Sequence, residues 1–189
     1  MSDNTLIRSL HDLGIASWFG GSLMGALGVN GASRDITDPA ERARVAASGW
    51  ARWSPVAAAS VGAHLVGGLG LVVANRDRVA KQSGVGANTA VKAALTVAAM
   101  ASTAYSGVLG ARLGKEPEQP SGGGAVPDSR TGAKATRIQQ QLRVLQWVTP
   151  VLTGAVIVLG AQQGEQQRPD QMIAGRARAV LGGLRDKVA

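Results

Sequence analysis

The chain has 189 residues, a formal net charge of +8, 26 glycines, four tryptophans, one phenylalanine, one tyrosine and no cysteine. Without thiols it forms no disulfide and has no thiol nucleophile or thiolate metal site. So few large side chains cannot fill a water-soluble core. The positive charge invites a nucleic-acid partner, but its placement in connectors that carry no nucleic-acid-binding motif argues against one.

Four stretches contain no formally charged residue: Leu13 to Ser33, Trp53 to Asn75, Ala93 to Ala111 and Val144 to Gly164. A hydrocarbon core of about 30 Å takes roughly 20 residues at a 1.5 Å rise, so each stretch is long enough to cross a bilayer. A soluble bundle is the alternative, but a chain this short cannot bury four all-round apolar helices at its centre. The first stretch does not read as a cleaved signal. The segment before it holds Asp3 and Asp12 against Arg8, and Val29-Asn30-Gly31-Ala32 is a poor cleavage site.

The first helix is expected to start with Asp3 or Asn4 as its cap and to end at Asn30-Gly31. Asp38-Pro39-Ala40-Glu41 then combines a capping carboxylate, a proline at the first helical position and an early acid. That pattern starts a short helix reaching about Arg52. Trp50 and Trp53 mark the headgroup boundary, with the second span entering at Pro55 and leaving at Asn75. Ser83 to Gly86 reads as a flexible turn, Asn88 or Thr89 as the cap of the third helix, and Lys92 as a snorkelling side chain in its first turn. That helix stops near Gly114.

Lys115 to Ser129 carries three prolines and the run Gly122-Gly123-Gly124 without apolar periodicity, and so reads as a mobile exposed loop. Order returns by Lys134, and the fourth helix projects beyond the bilayer before Trp147 anchors it, with Pro150 in its first membrane turns. In the tail, Met172, Ile173, Val180, Leu181, Leu184 and Val188 recur at helical spacing apart from Arg176, Arg178, Arg185 and Lys187. A basic amphipathic helix on an anionic membrane surface follows. Lys and Arg totals tie at ten on the two sides of the membrane, so orientation rests on the compact second loop and the basic tail, which favour cytoplasmic termini.

Gly14, Ser17, Gly21, Gly25 and Gly28 line one face of the first helix at spacings of three and four. The second helix repeats the device with Ala59, Ala63, Gly67, Gly70 and Ala74, and the third with Ala99, Thr103, Ser106 and Gly110. In lipid such faces let helices approach closely, which marks them as packing surfaces. The spans hold no Asp or Glu, which weighs against a proton-coupled pump, and Ser102, Thr103, Tyr105 and Ser106 read as interhelical hydrogen-bonding groups. His11 and His64 are the only histidines and the weak candidates for a cofactor contact. With the first helix entering at His11 and the second from the opposite face near Ser54, the two rings should lie roughly 15 Å apart along the membrane normal. That separation argues against a joint haem site within one chain; His64 then reads as an interhelical hydrogen-bonding residue, with a cofactor contact shared with a partner chain as the alternative.

Leu10-His11 followed by Trp18-Phe19-Gly20-Gly21 resembles the opening helix of the copper-resistance protein D family and related small bacterial membrane families. The resemblance covers about a dozen residues, with His11, Trp18, Gly20 and Gly21 at the matching positions. It implies a helical bacterial membrane protein linked to copper or haem handling. The chain departs from a metal-handling pattern in having no Cys, few Met and no second His beside His11.

The expected fold is all-α. A four-helix transmembrane domain occupies residues 1–164, with spans at about 12–31, 54–75, 89–112 and 144–164, and an interfacial helix in its first loop. A basic amphipathic tail occupies 165–189. The expected role is that of a non-catalytic accessory or assembly subunit of a larger membrane complex in the bacterial inner membrane, a respiratory assembly being one host. No metal and no cofactor of its own is expected. Its partners would be lipids and other membrane subunits, with Trp50, Trp53 and Trp147 as interface anchors. A small transporter or a haem- or copper-handling protein is the alternative.

Overall fold

The computed structural model describes residues 4–76, 80, 83–116 and 120–165. The basic tail, apart from Glu165, lies outside the described residues. Four main helices carry the fold: α1 Thr5–Met24, α2 Pro39–Ala74, α3 Ser83–Leu113 and α4 Ala133–Glu165. A small antiparallel hairpin, β1 Ser121–Gly123 with β2 Val126–Pro127, stands between α3 and α4. The closest pairs are α1 with α2 and α3 with α4; α1 against α4 joins the two hairpins, and α2 approaches α3 only sparsely.

Among the described residues, three helices are long and apolar enough to cross a membrane: α2, α3 from Val85 and α4 to Gly164. The span expected over 12–31 is divided. α1 spends its first turns on Arg8, His11 and Asp12, and its apolar part continues past Met24 through a π-helical turn, Gly25–Val29, then Asn30–Ala32 and a 3-10 turn, Ser33–Asp35. The helical path therefore does not stop at Asn30-Gly31. No glycine among the described residues adopts the positive φ of a left-handed cap.

The first connector also differs from expectation. Asp38 accepts a 2.9 Å hydrogen bond from the Ala40 amide, and Pro39 occupies the first helical turn. The helix so started does not end at Arg52, however, but runs unbroken through Pro55 for 36 residues, about 54 Å. Proline removes only one amide donor, and Ser54 Oγ, donating to the Trp50 carbonyl at 2.9 Å, binds this stretch locally. Arg42 Nε donates to the Ile36 carbonyl at 2.8 Å and fixes the turn between the first two helices. Similarly, Ser83 to Gly86 are helical, so Asn88 and Thr89 lie inside α3, and the Thr89 hydroxyl bonds back to the Val85 carbonyl. Lys92, half-buried, donates to Gln163 Oε1 on α4.

The core is small: Ile15, Trp18, Ala99 and Val156, flanked by Val61, Leu95, Met100, Leu152 and Ile157. Large apolar side chains point outward instead, among them Leu69 and Val73 on α2, Val97 on α3, and Val151 and Val158 on α4. The buried positions are rich in hydroxyls, which pair across helices. Trp18 Nε1 donates to Thr103 Oγ1 at 3.1 Å, Ser102 and Thr149 share a 2.9 Å bond, and Ser60 donates to Ser17 at 2.9 Å.

The glycine-rich loop expected to be mobile is ordered and partly buried. Ser121 and Ala125 are buried, Gln139 Nε2 donates to Ser121 Oγ at 2.7 Å, and the Gly124 amide donates to Ser33 Oγ at 2.9 Å. Gly124 must be glycine, because a Cβ there would lie 2.5 Å from Ala46 Cβ and 2.6 Å from Asn30 Oδ1. Beyond the hairpin, the Asp128 carboxylate accepts from the Arg130 amide and then its guanidinium, which together hold it below the usual carboxylate range. The hairpin thus plugs one end of the bundle, packed against α2, α4 and the Ser33–Asp35 turn. Gln139→Ala, which strips Ser121 and Gly123 of their buried donor, is expected to speed limited tryptic cleavage at Arg130 about tenfold. A cleavage rate equal to that of the unaltered protein would show that Gln139 does not hold the loop.

Candidate functional site

The seam between α1 and α2 is built by notches and pegs. On α1, a Cβ at Gly14 would lie 2.5 Å from the His64 amide nitrogen and 2.7 Å from the Ser60 carbonyl oxygen. On α2, a Cβ at Gly67 would meet the His11 amide nitrogen, and would lie 2.6 Å from the Ile7 carbonyl oxygen. Backbones therefore touch at both places. Further along, Gly21 takes the ring of Trp53, Gly25 takes the ring of Trp50, and Gly70 faces Ile7. Gly28 lies against Met24 of its own helical run, and Ala63 is half-buried. Trp50 and Trp53 are thus pegs inside a continuous helix rather than the end of a short one. Trp147 is exposed on α4.

Between the two backbone contacts sit the histidines. Their rings stack with centroids 4.1 Å apart and planes inclined by 23°. The expected separation of roughly 15 Å is overturned. It assumed that each helix starts where its uncharged stretch starts, whereas register is set by the turn. His11 lies 25 residues before Ile36 and His64 lies 26 residues after Asp38, so an antiparallel hairpin closed at Ile36 to Asp38 brings them level.

The hydrogen bonds around the pair are reciprocal. His11 Nδ1 contacts the His64 carbonyl at 3.1 Å, and His64 Nδ1 contacts the His11 carbonyl at 3.2 Å. A carbonyl can only accept, so both Nδ1 atoms carry hydrogens. His64 Nε2 then faces Thr96 Oγ1 of α3 at 3.4 Å, which ties the seam to the second hairpin. Chemically this is a clamp. Two rings in face contact leave no plane between them for a haem, and both Nδ1 atoms are engaged. Among the described residues, no three His, Asp or Glu side chains gather as a metal-binding group.

A second polar junction lies where the π turn ends. Asn30 is buried, donates to Gln146 Oε1 at 2.8 Å and accepts from Trp50 Nε1 at 2.9 Å, linking α2, the end of the first helical run and α4. Sequence reasoning missed it. The available signal was a lone amide inside an uncharged stretch, which needs a partner when buried. Of the four polar residues of α3 read as interhelical, Ser102 bonds Thr149, Thr103 bonds Trp18 and Tyr105 donates to Gln141 at 2.6 Å.

No family model, curated protein or solved structure matches this chain significantly.

Proposed function

We propose that this protein is a non-catalytic integral membrane subunit, an accessory or assembly factor of a larger membrane complex, with both termini on the cytoplasmic side of a bacterial inner membrane. One observation carries the reading: the bundle is inside out by the standards of a water-soluble protein. Around a small apolar core at Ile15, Trp18 and Val156 its interior is lined by glycine, alanine and mutually bonded hydroxyls, while Leu69, Val73, Val97, Val151 and Val158 face outward. Lipid removes the penalty for such a surface and rewards close backbone contact within. Most of the buried hydroxyls bond to one another or to helix carbonyls. Gly62 on α2 and Gly107 and Gly110 on α3 have open space where a Cβ would stand, and these outward notches suit a neighbouring subunit's helix.

Two measurements test the proposal. The protein is expected to stay with the membrane through alkaline carbonate extraction, and to co-purify with a defined larger assembly in mild detergent, read by native mass spectrometry. A lone monomer in mild detergent would defeat the subunit role. A Soret band, or stoichiometric copper lost in His64→Ala, would move the assignment to haem or copper handling.

A further inference from the structure

At the end of the bundle where α3 finishes and α4 begins, two shallow depressions share Tyr105, Arg137 and Gln141 and so form one groove on the outer surface. Its inner end is floored by Val144 and Leu145, which open the uncharged stretch of α4. At its outer end stand Arg112, one residue past the uncharged stretch of α3, with Arg137 and Lys134. Lys134 is neutralised by Glu116 Oε1 at 2.6 Å. Arg112 and Arg137 are exposed, and neither has a carboxylate partner among the described residues. The groove therefore couples two uncompensated guanidinium groups to an apolar floor that continues onto the outward-facing Val151.

We infer that this groove binds one anionic phospholipid, with its phosphate between Arg112 and Arg137 and an acyl chain along Val144 and Leu145. The inference rests on the membrane reading above. Guanidinium groups match phosphate oxygens in pairs, and two cations without counter-charges favour a headgroup with net negative charge over a zwitterionic one, whose own ammonium they repel. A free phosphate ion would use the arginines but not the floor, which is what favours a lipid. Tyr105, held by its bond to Gln141, presents its ring between the two ends, an arrangement suited to the headgroup boundary.

The test is native mass spectrometry of the full chain in mild detergent, titrated with phosphatidylglycerol or phosphatidylcholine. One phosphatidylglycerol is expected to be retained in preference to phosphatidylcholine. The Arg112→Gln/Arg137→Gln variant should bind it ~30-fold more weakly, from the loss of two interfacial cations. Arg52→Gln/Arg143→Gln removes the same charge elsewhere and should leave binding unchanged, and Arg112→Lys/Arg137→Lys should retain most of it. Circular dichroism of each variant separates lost binding from lost folding. Equal binding of the two lipids, equal weakening by both glutamine pairs, or displacement of the lipid by millimolar inorganic phosphate would overturn the inference. A chain that still resists carbonate extraction in those cases leaves the membrane reading intact, whereas release by carbonate removes both.

Discussion

Gly14→Ala and Gly67→Ala are each expected to destabilise the protein by about 1–3 kcal/mol, read as a lower thermal midpoint in detergent. Alanine has the higher helix propensity, by about 0.5–1 kcal/mol, so a substitution that met no obstacle would be neutral or stabilising. At these two positions the obstacle is backbone. The new methyl would lie 2.5 Å from the His64 nitrogen at Gly14, and would meet the His11 nitrogen at Gly67, and main-chain atoms cannot swing aside. The helices must separate, which also pulls apart the stacked histidines and their reciprocal hydrogen bonds. Gly20→Ala, Gly62→Ala and Gly107→Ala supply the control, because a Cβ at each has nothing within 4 Å. Those three should match or exceed the parent protein. The same sign at all five positions would show that the α1–α2 seam is not closed as described.

Trp18→Ala is expected to cost about 3–5 kcal/mol, a large share of an ordinary domain's stability. Trp18 has 0% of its surface exposed, the centre of a core that otherwise contains Ile15, Ala99 and Val156. Its indole N–H donates to Thr103 Oγ1 at 3.1 Å, so the ring also joins α1 to α3 through a polar bond. Thr103→Val keeps the volume and leaves the donor unmet, at about 1–3 kcal/mol. Unfolding by graded denaturant in detergent micelles should show the two losses as less than additive, since both remove the same bond. Strict additivity would mean that the bond contributes nothing.

Much of the fold is legible along the chain because its determinants are local. Lack of charge over about 20 residues marks an apolar helix whatever it packs against. The Asp38-Pro39 start is local as well, and Asp38 does cap the Ala40 amide. Turn chemistry misled where tertiary partners outweighed it. Ser83 to Gly86 and Pro55 are weak helix formers, yet both lie inside long helices, where the hydrogen-bonded turns on either side carry the path through them. The run Gly122-Gly123-Gly124 has the composition of a linker. It is held in place by a glutamine 16 residues beyond Gly123 and by Ser33, 91 residues before Gly124, contacts with no local signature.

The sequence alone determined that this is a helical, apolar, thiol-free chain whose glycines recur at helix spacing, since each of those properties is read within one or two turns. What only the tertiary structure decided is register. A hairpin closed at Ile36 to Asp38 sets His11 against His64, seats Trp53 and Trp50 on Gly21 and Gly25, and brings the Trp50 indole N–H within reach of the Asn30 side-chain oxygen. Periodicity states which face of a helix is small, but not how far that helix slides along its neighbour. The slide is fixed by the turn that joins the two helices and by which large side chain each notch accepts.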